Sequence, residues 1–139
     1  MIKGSFSIMA KILFIAFGGA VGTVFRYIIS GFDYRWSQGI FPIGTFIVNA
    51  TGCLIIGFLW GLFERINISS PMRMFIFIGI LGGYTTFSTF ALETMNLIKD
   101  GEFKVAVLNI LATNMLSCVA VFLGVFIARF FIRLILDVL

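Results

Sequence analysis

Four groups of polar residues interrupt an otherwise apolar chain, and their types and spacing indicate what chemistry is available. In the run Gly44-Thr45-Phe46-Ile47-Val48-Asn49-Ala50-Thr51-Gly52, Thr45, Asn49 and Gly52 recur at i, i+4 and i+7 and share one face of a helix. Asn109, Thr113 and Ser117 repeat every four residues, with Asn114 beside them. The stretch Gly82-Gly83-Tyr84-Thr85-Thr86-Phe87-Ser88-Thr89-Phe90 sets four threonines and serines just after a glycine pair. Arg26 follows Gly18, Gly19 and Gly22 by one helical turn. These groups offer amides, hydroxyls and one guanidinium, which are hydrogen-bond donors. Glu93 is the only acid well inside an apolar stretch. Such an inventory suits a small anion better than a cation.

Other chemistries are poorly supplied. The chain has no histidine, which removes imidazole bases and histidine-ligated metals. Cys53 and Cys118 lie in apolar runs without CxxC spacing and read as small packing residues. Clustered acids, metal ligands and nucleotide-binding motifs are missing, so no enzyme is expected. The ten lysines and arginines are scattered rather than gathered in a stripe, which argues against nucleic acid. The net charge of +4 fits loops that meet anionic headgroups.

The elements that must position these residues follow from composition. Only 12% of the 139 residues are charged, against about 25% in soluble domains, so most of the surface must face lipid. A crossing helix needs roughly 20 apolar residues. Four such helices are expected: Ile12–Ser30, Pro42–Phe63, Met72–Ile98 and Val105–Phe131, within a single four-helix transmembrane domain spanning 1–139. Lys3 and Lys11 before an apolar run resemble a signal peptide, but Arg26 and the lack of a small-residue cleavage site mark a retained helix. Tyr34 and Trp36, in the turn from Gly31 to Gly39, suit the headgroup level. Lysines and arginines favour the side holding the N-terminus by six to three, which predicts that side inside.

Each polar group admits two readings. The helix 1 glycines allow close helix packing, and Arg26 either snorkels to the interface or draws anions to a pore mouth. Asn49 either bonds two helices together or lines a wet path. Gly82 and Gly83 make a poor continuous helix, so helix 3 is expected to break there, in mid-membrane. Non-helical backbone at that depth persists only if buried in protein or facing water. Its exposed carbonyls can hold a cation and its N–H groups an anion; a kink against another helix is the alternative. The Asn109–Thr113–Ser117 line reads as one wall of a permeation track, or as hydrogen bonds to a neighbouring helix.

The motif Gly82–Glu93 (GGYTTFSTFALE) resembles the GGLTTFSTF signature of the Fluc (CrcB) fluoride channel family, with Tyr84 as a departure. The runs Gly18–Tyr27 (GGAVGTVFRY) and Pro42–Gly57 (PIGTFIVNATGCLIIG) extend the resemblance over nearly the whole chain. It implies a fluoride-selective passive channel exporting cytoplasmic fluoride, multi-pass in the cell inner (plasma) membrane. It also implies an all-α, antiparallel, dual-topology homodimer with two pores. Asn49 matches the family's pore asparagine, and Phe87 and Phe90 its pair of pore phenylalanines, around Ser88. Thr113 and Ser117 match the polar track on helix 4, where Asn109 stands at a position often held by tyrosine. Arg26 matches the helix 1 arginine. Gly82 and Thr85 are implied to supply carbonyls for a structural sodium ion (Na+) at the dimer centre.

Rival readings have specific requirements. A small four-helix multidrug exporter needs a membrane-embedded carboxylate for proton exchange, usually on helix 1, and helix 1 carries none. A lipid-metabolising membrane enzyme needs clustered acids, histidines or metal ligands. A structural subunit has no need of aligned donors on three helices.

Overall fold

A computed structural model describes residues 8–31 and 40–138. The helices are α1 (Ile8–Gly31), α2 (Ile43–Phe63), α3 (70–84), α4 (Phe87–Lys99) and α5 (Phe103–Val138). Four segments are long and apolar enough to cross a membrane: Ile8–Gly31, Ile43–Phe63, Ser70–Lys99 and Phe103–Leu136. The third of these comprises α3 and α4. Lys3, Tyr34, Arg35 and Trp36 lie outside the described residues.

The expected segments all form helices, with shifted ends. Helix 1 is already helical at Ile8, the first described residue, and Pro71, expected in the second loop, falls in the first turn of α3, where its missing N–H costs nothing. The last helix runs unbroken to Val138, since nothing after Phe131 breaks a helix. Much of the apolar surface points outward: Phe17, Met115 and Phe122 are each more than three-fifths exposed. Water would not tolerate that surface, and lipid requires it.

With lipid outside, the interior depends on close backbone approach rather than on large apolar side chains. Val48, Ala106 and Ala128 are the most deeply buried apolar residues. Two seams of small residues hold the fold. In the first, α1 packs against α3: a Cβ on Gly22 would overlap the Ile80 carbonyl, and one on Gly83 would sit 2.6 Å from the Gly19 oxygen. In the second, α2 packs against α5, with Gly57 against the Val121 carbonyl and Gly124 against that of Leu54. The helix 1 glycines are therefore packing residues.

Two connections are fixed by hydrogen bonds. Arg73 Nη2 donates to the Phe63 carbonyl at the end of α2, at 2.8 Å. Between α4 and α5, Gly101 takes a φ of +82°. Its N–H donates to the Ile98 carbonyl while that of Glu102 donates to Leu97. This pattern satisfies the last carbonyls of α4 and turns the chain sharply.

The third segment departs from its expected form in two ways. Met74–Leu81 winds as a π-helix, which the sequence did not announce. Gly82 and Gly83, where the interruption was expected, are helical. The extended residues are Thr85 (φ −77°, ψ 158°) and Thr86 (φ −151°, ψ 122°). Glycine permits a break here; the bonds made by Thr86 determine where it falls.

Candidate functional site

Thr86 is the hub of the site. Its N–H donates to Asn49 Oδ1 and its carbonyl accepts from Asn49 Nδ2, both at 2.9 Å. The Asn49 carboxamide thus pairs with the Thr86 peptide as one extended strand pairs with another. Both residues are buried, so a peptide without helical partners is satisfied where water is scarce. The Thr86 hydroxyl oxygen also accepts from the Thr89 N–H at 3.2 Å, which caps α4.

Arg26 reaches the same point from α1. Its Nη1 donates to the Thr85 carbonyl at 3.3 Å. The Thr85 N–H and hydroxyl both turn back to the Leu81 carbonyl, at 3.0 and 2.9 Å. Because Thr86 N–H bonds Asn49, the Gly82 carbonyl loses its helical donor, and Gly82 is exposed. Of the two carbonyls that the resemblance implies for a sodium ion, that of Gly82 is thus free to face a cation. Thr85 fits through the lone pair that Arg26 leaves open.

Asn49, Phe87, Phe90, Thr113 and Ser117 line one cavity of about 210 Å³, with Cys53 and Asn114. Three helices that are remote in sequence supply this set. The rings of Phe87 and Phe90 lie 5.5 Å apart, tilted by 50°. Phe87 is 75% exposed and Phe90 only 6%. Phe90 is therefore held in the fold, while Phe87 projects from it.

The other predicted residues stand elsewhere. Ser88 is exposed, 3.5 Å from the Thr86 hydroxyl. Arg26 lines a second cavity of about 230 Å³ with Thr23, Thr45 and Thr89. Thr86 borders both cavities. Asn109, 1% exposed, borders neither. It donates through Nδ2 to Thr94 Oγ1 at 3.0 Å and accepts from the Thr113 hydroxyl at 3.1 Å, while Thr94 donates to the Phe90 carbonyl at 2.8 Å. The apparent wall on helix 4 is thus partly a buried brace that fixes Phe90.

This direction of bonding sorts the donors. A hydroxyl has one hydrogen, and Thr85, Thr86 and Thr113 direct theirs to Leu81, Thr89 and Asn109. Among the described residues Asn49 and Asn114 each have one N–H engaged, to Thr86 and Ile110, and a second remaining. Ser117 keeps its hydroxyl hydrogen among the described residues. Two further hydrogen bonds join residues that no sequence motif pairs: Thr45 Oγ1 donates to Glu93 Oε1 at 2.7 Å, and Thr51 bonds the Tyr84 hydroxyl at 2.8 Å. Their only sequence signal was polarity within apolar runs.

Comparison with known proteins agrees with this architecture. The family model described as CrcB-like protein, Camphor Resistance (CrcB), matches residues 13–125. A protein of Parabacteroides distasonis named fluoride-specific ion channel FluC is 43% identical over 127 residues, covering 91% of this chain and 99% of its own length. Proteins of the same name from Desulforapulum autotrophicum and Maridesulfovibrio salexigens are 42% and 43% identical, over 86% and 87% of this chain and 96% and 97% of theirs. With four spans of sufficient length and hydropathy, this is a multi-pass membrane protein, and it belongs to the CrcB-like family.

Proposed function

We infer that the chain is a passive fluoride channel through which cytoplasmic fluoride leaves down its electrochemical gradient. Family membership supports the substrate. One structural observation carries the path: Asn49, Phe87, Phe90, Thr113 and Ser117 share a single cavity. Fluoride is small and strongly hydrated, so a path must replace its water with closely placed donors. Asn49, Asn114 and Ser117 have hydrogens to give, and the electropositive ring edges of Phe87 and Phe90 add attraction without tight binding. Thr113 and Asn109 act by holding that wall, and Arg26 raises the local positive potential on the far side of Thr86. Ser88 lies at the same helix start, exposed and outside the cavity lining, where it would serve the path only at its entrance.

The working unit is an antiparallel, dual-topology homodimer in the inner membrane, with the third span broken in mid-bilayer. Exposed Phe87 and Gly82 support a partner's presence there. The Gly82 and Thr85 carbonyls of both copies would hold a structural sodium ion, which supplies positive charge that fixes the break. The chemistry is transport, not catalysis. A multidrug-exporter mechanism lacks the acid usual on its first helix, since α1 has neither Asp nor Glu, and the embedded Glu93 accepts from the Thr45 hydroxyl. Expression in a bacterial strain lacking its own fluoride exporter tests the reading. Growth restored in millimolar fluoride supports it, and continued sensitivity despite membrane insertion contradicts it.

A further inference from the structure

The ends of α2 and α5 carry a feature that the fluoride path does not use. Arg65, Arg129 and Arg133 converge with Ile132 and Leu136 on a cavity of about 230 Å³. Arg129, Ile132, Arg133 and Leu136 follow i, i+3, i+4 and i+7 spacing, so one face of α5 presents both charge and apolar surface. Glu64 pairs with Arg129 at 3.1 Å. Glu64 is the one acid among the residues that line the cavity, against three arginines, so the lining carries an excess of two positive charges.

The depth of this cavity follows from helix length. Counted from Phe103, Arg129 lies about 39 Å along α5 at 1.5 Å per residue. The hydrocarbon core is about 30 Å thick, and about 40–45 Å with headgroups. With the α4–α5 turn at one surface, the arginines stand at the headgroup level of the other. Guanidinium forks match phosphate oxygens, while Ile132 and Leu136 offer a wall that a free anion has no use for.

We propose that this cavity binds the phosphate headgroup of an anionic phospholipid, with the acyl chain base against Ile132 and Leu136. The lipid would tie the end of α2 to the extension of α5 and reinforce the glycine seam between them.

Native mass spectrometry of the full-length protein, titrated separately with phosphatidylglycerol, phosphatidylcholine and inorganic phosphate, tests this. Phosphatidylglycerol should bind in preference to phosphatidylcholine, and millimolar inorganic phosphate should not displace it. Arg65→Gln and Arg133→Gln should each weaken that binding about fivefold, and together about twentyfold. Should the double variant fail to fold, the two single variants decide. Equal binding of the two lipids, unchanged affinity in the variants, or displacement by inorganic phosphate would each overturn the proposal, the last by indicating a free-anion site.

Discussion

The side chain of Asn49 and the main chain of Thr86 exchange two hydrogen bonds, each 2.9 Å long, across 37 positions of sequence. The pair joins α2 to the extended link between α3 and α4. Asn49 is therefore helix glue and cavity lining at once: one N–H holds Thr86, and the side chain borders the cavity.

Asn49→Asp separates these roles only partly. Aspartate keeps an acceptor for the Thr86 N–H but loses the donor to its carbonyl, and adds negative charge beside the cavity. A buried carbonyl left unsatisfied costs about 1–3 kcal/mol. We expect a lower melting temperature in detergent, retained dimer mass, and fluoride efflux reduced at least about tenfold, because even 1.4 kcal/mol against the anion has that effect. Near-normal efflux would leave Asn49 with the structural role alone.

Thr113 and Ser117 should respond in opposite ways. Thr113→Val removes the donor to Asn109, whose amide is sealed inside, and should cost about 1–3 kcal/mol of stability. Ser117→Ala removes a half-buried hydroxyl that has no partner among the described residues, so stability should hold within about 0.5 kcal/mol while efflux slows. Thermal melts and efflux measured on both variants check the split. Equal stability losses would contradict the donor assignment.

Phe87 and Phe90 differ in burial, so their isoleucine variants should differ in stability. Isoleucine keeps apolar bulk but removes the ring edge. Phe87→Ile should leave the packing within the subunit intact, since Phe87 is 75% exposed in the single chain. Phe90→Ile should destabilise by about 1–3 kcal/mol. At least one should lose most fluoride throughput. If both conduct like the parent, the rings are packing residues.

Dual topology predicts an even distribution of the α4–α5 turn across the membrane. With Cys53 and Cys118 replaced by alanine, a cysteine at Glu102 should be labelled from outside in about half the molecules. The lysine and arginine asymmetry favours one orientation, so this outcome is not assured by charge. Labelling confined to one side would contradict dual topology.

The spans were legible because nothing else accommodates runs of about 20 apolar residues. Gly18 and Gly22 were legible as a packing motif, whereas Gly57 and Gly124 declare their role only against each other's helices. The interruption was expected at Gly82–Gly83 because glycine is a poor helix former. It falls at Thr85–Thr86 because Asn49 captures the Thr86 peptide, a pairing that no local pattern encodes. Asn109 looked like pore wall from its spacing with Thr113 and Ser117. Spacing fixes a shared face, but burial increases toward Asn109 along that face, and only the packing of α4 on α5 reveals it.

Fluoride efflux from proteoliposomes, followed with an ion-selective electrode beside a parallel chloride measurement, decides whether the chain is a fluoride-selective channel. A fluoride-selective passive channel should release fluoride rapidly on collapse of the opposing membrane potential, with chloride retained. Comparable release of both ions, or no release of fluoride from vesicles shown to hold folded protein, would contradict it.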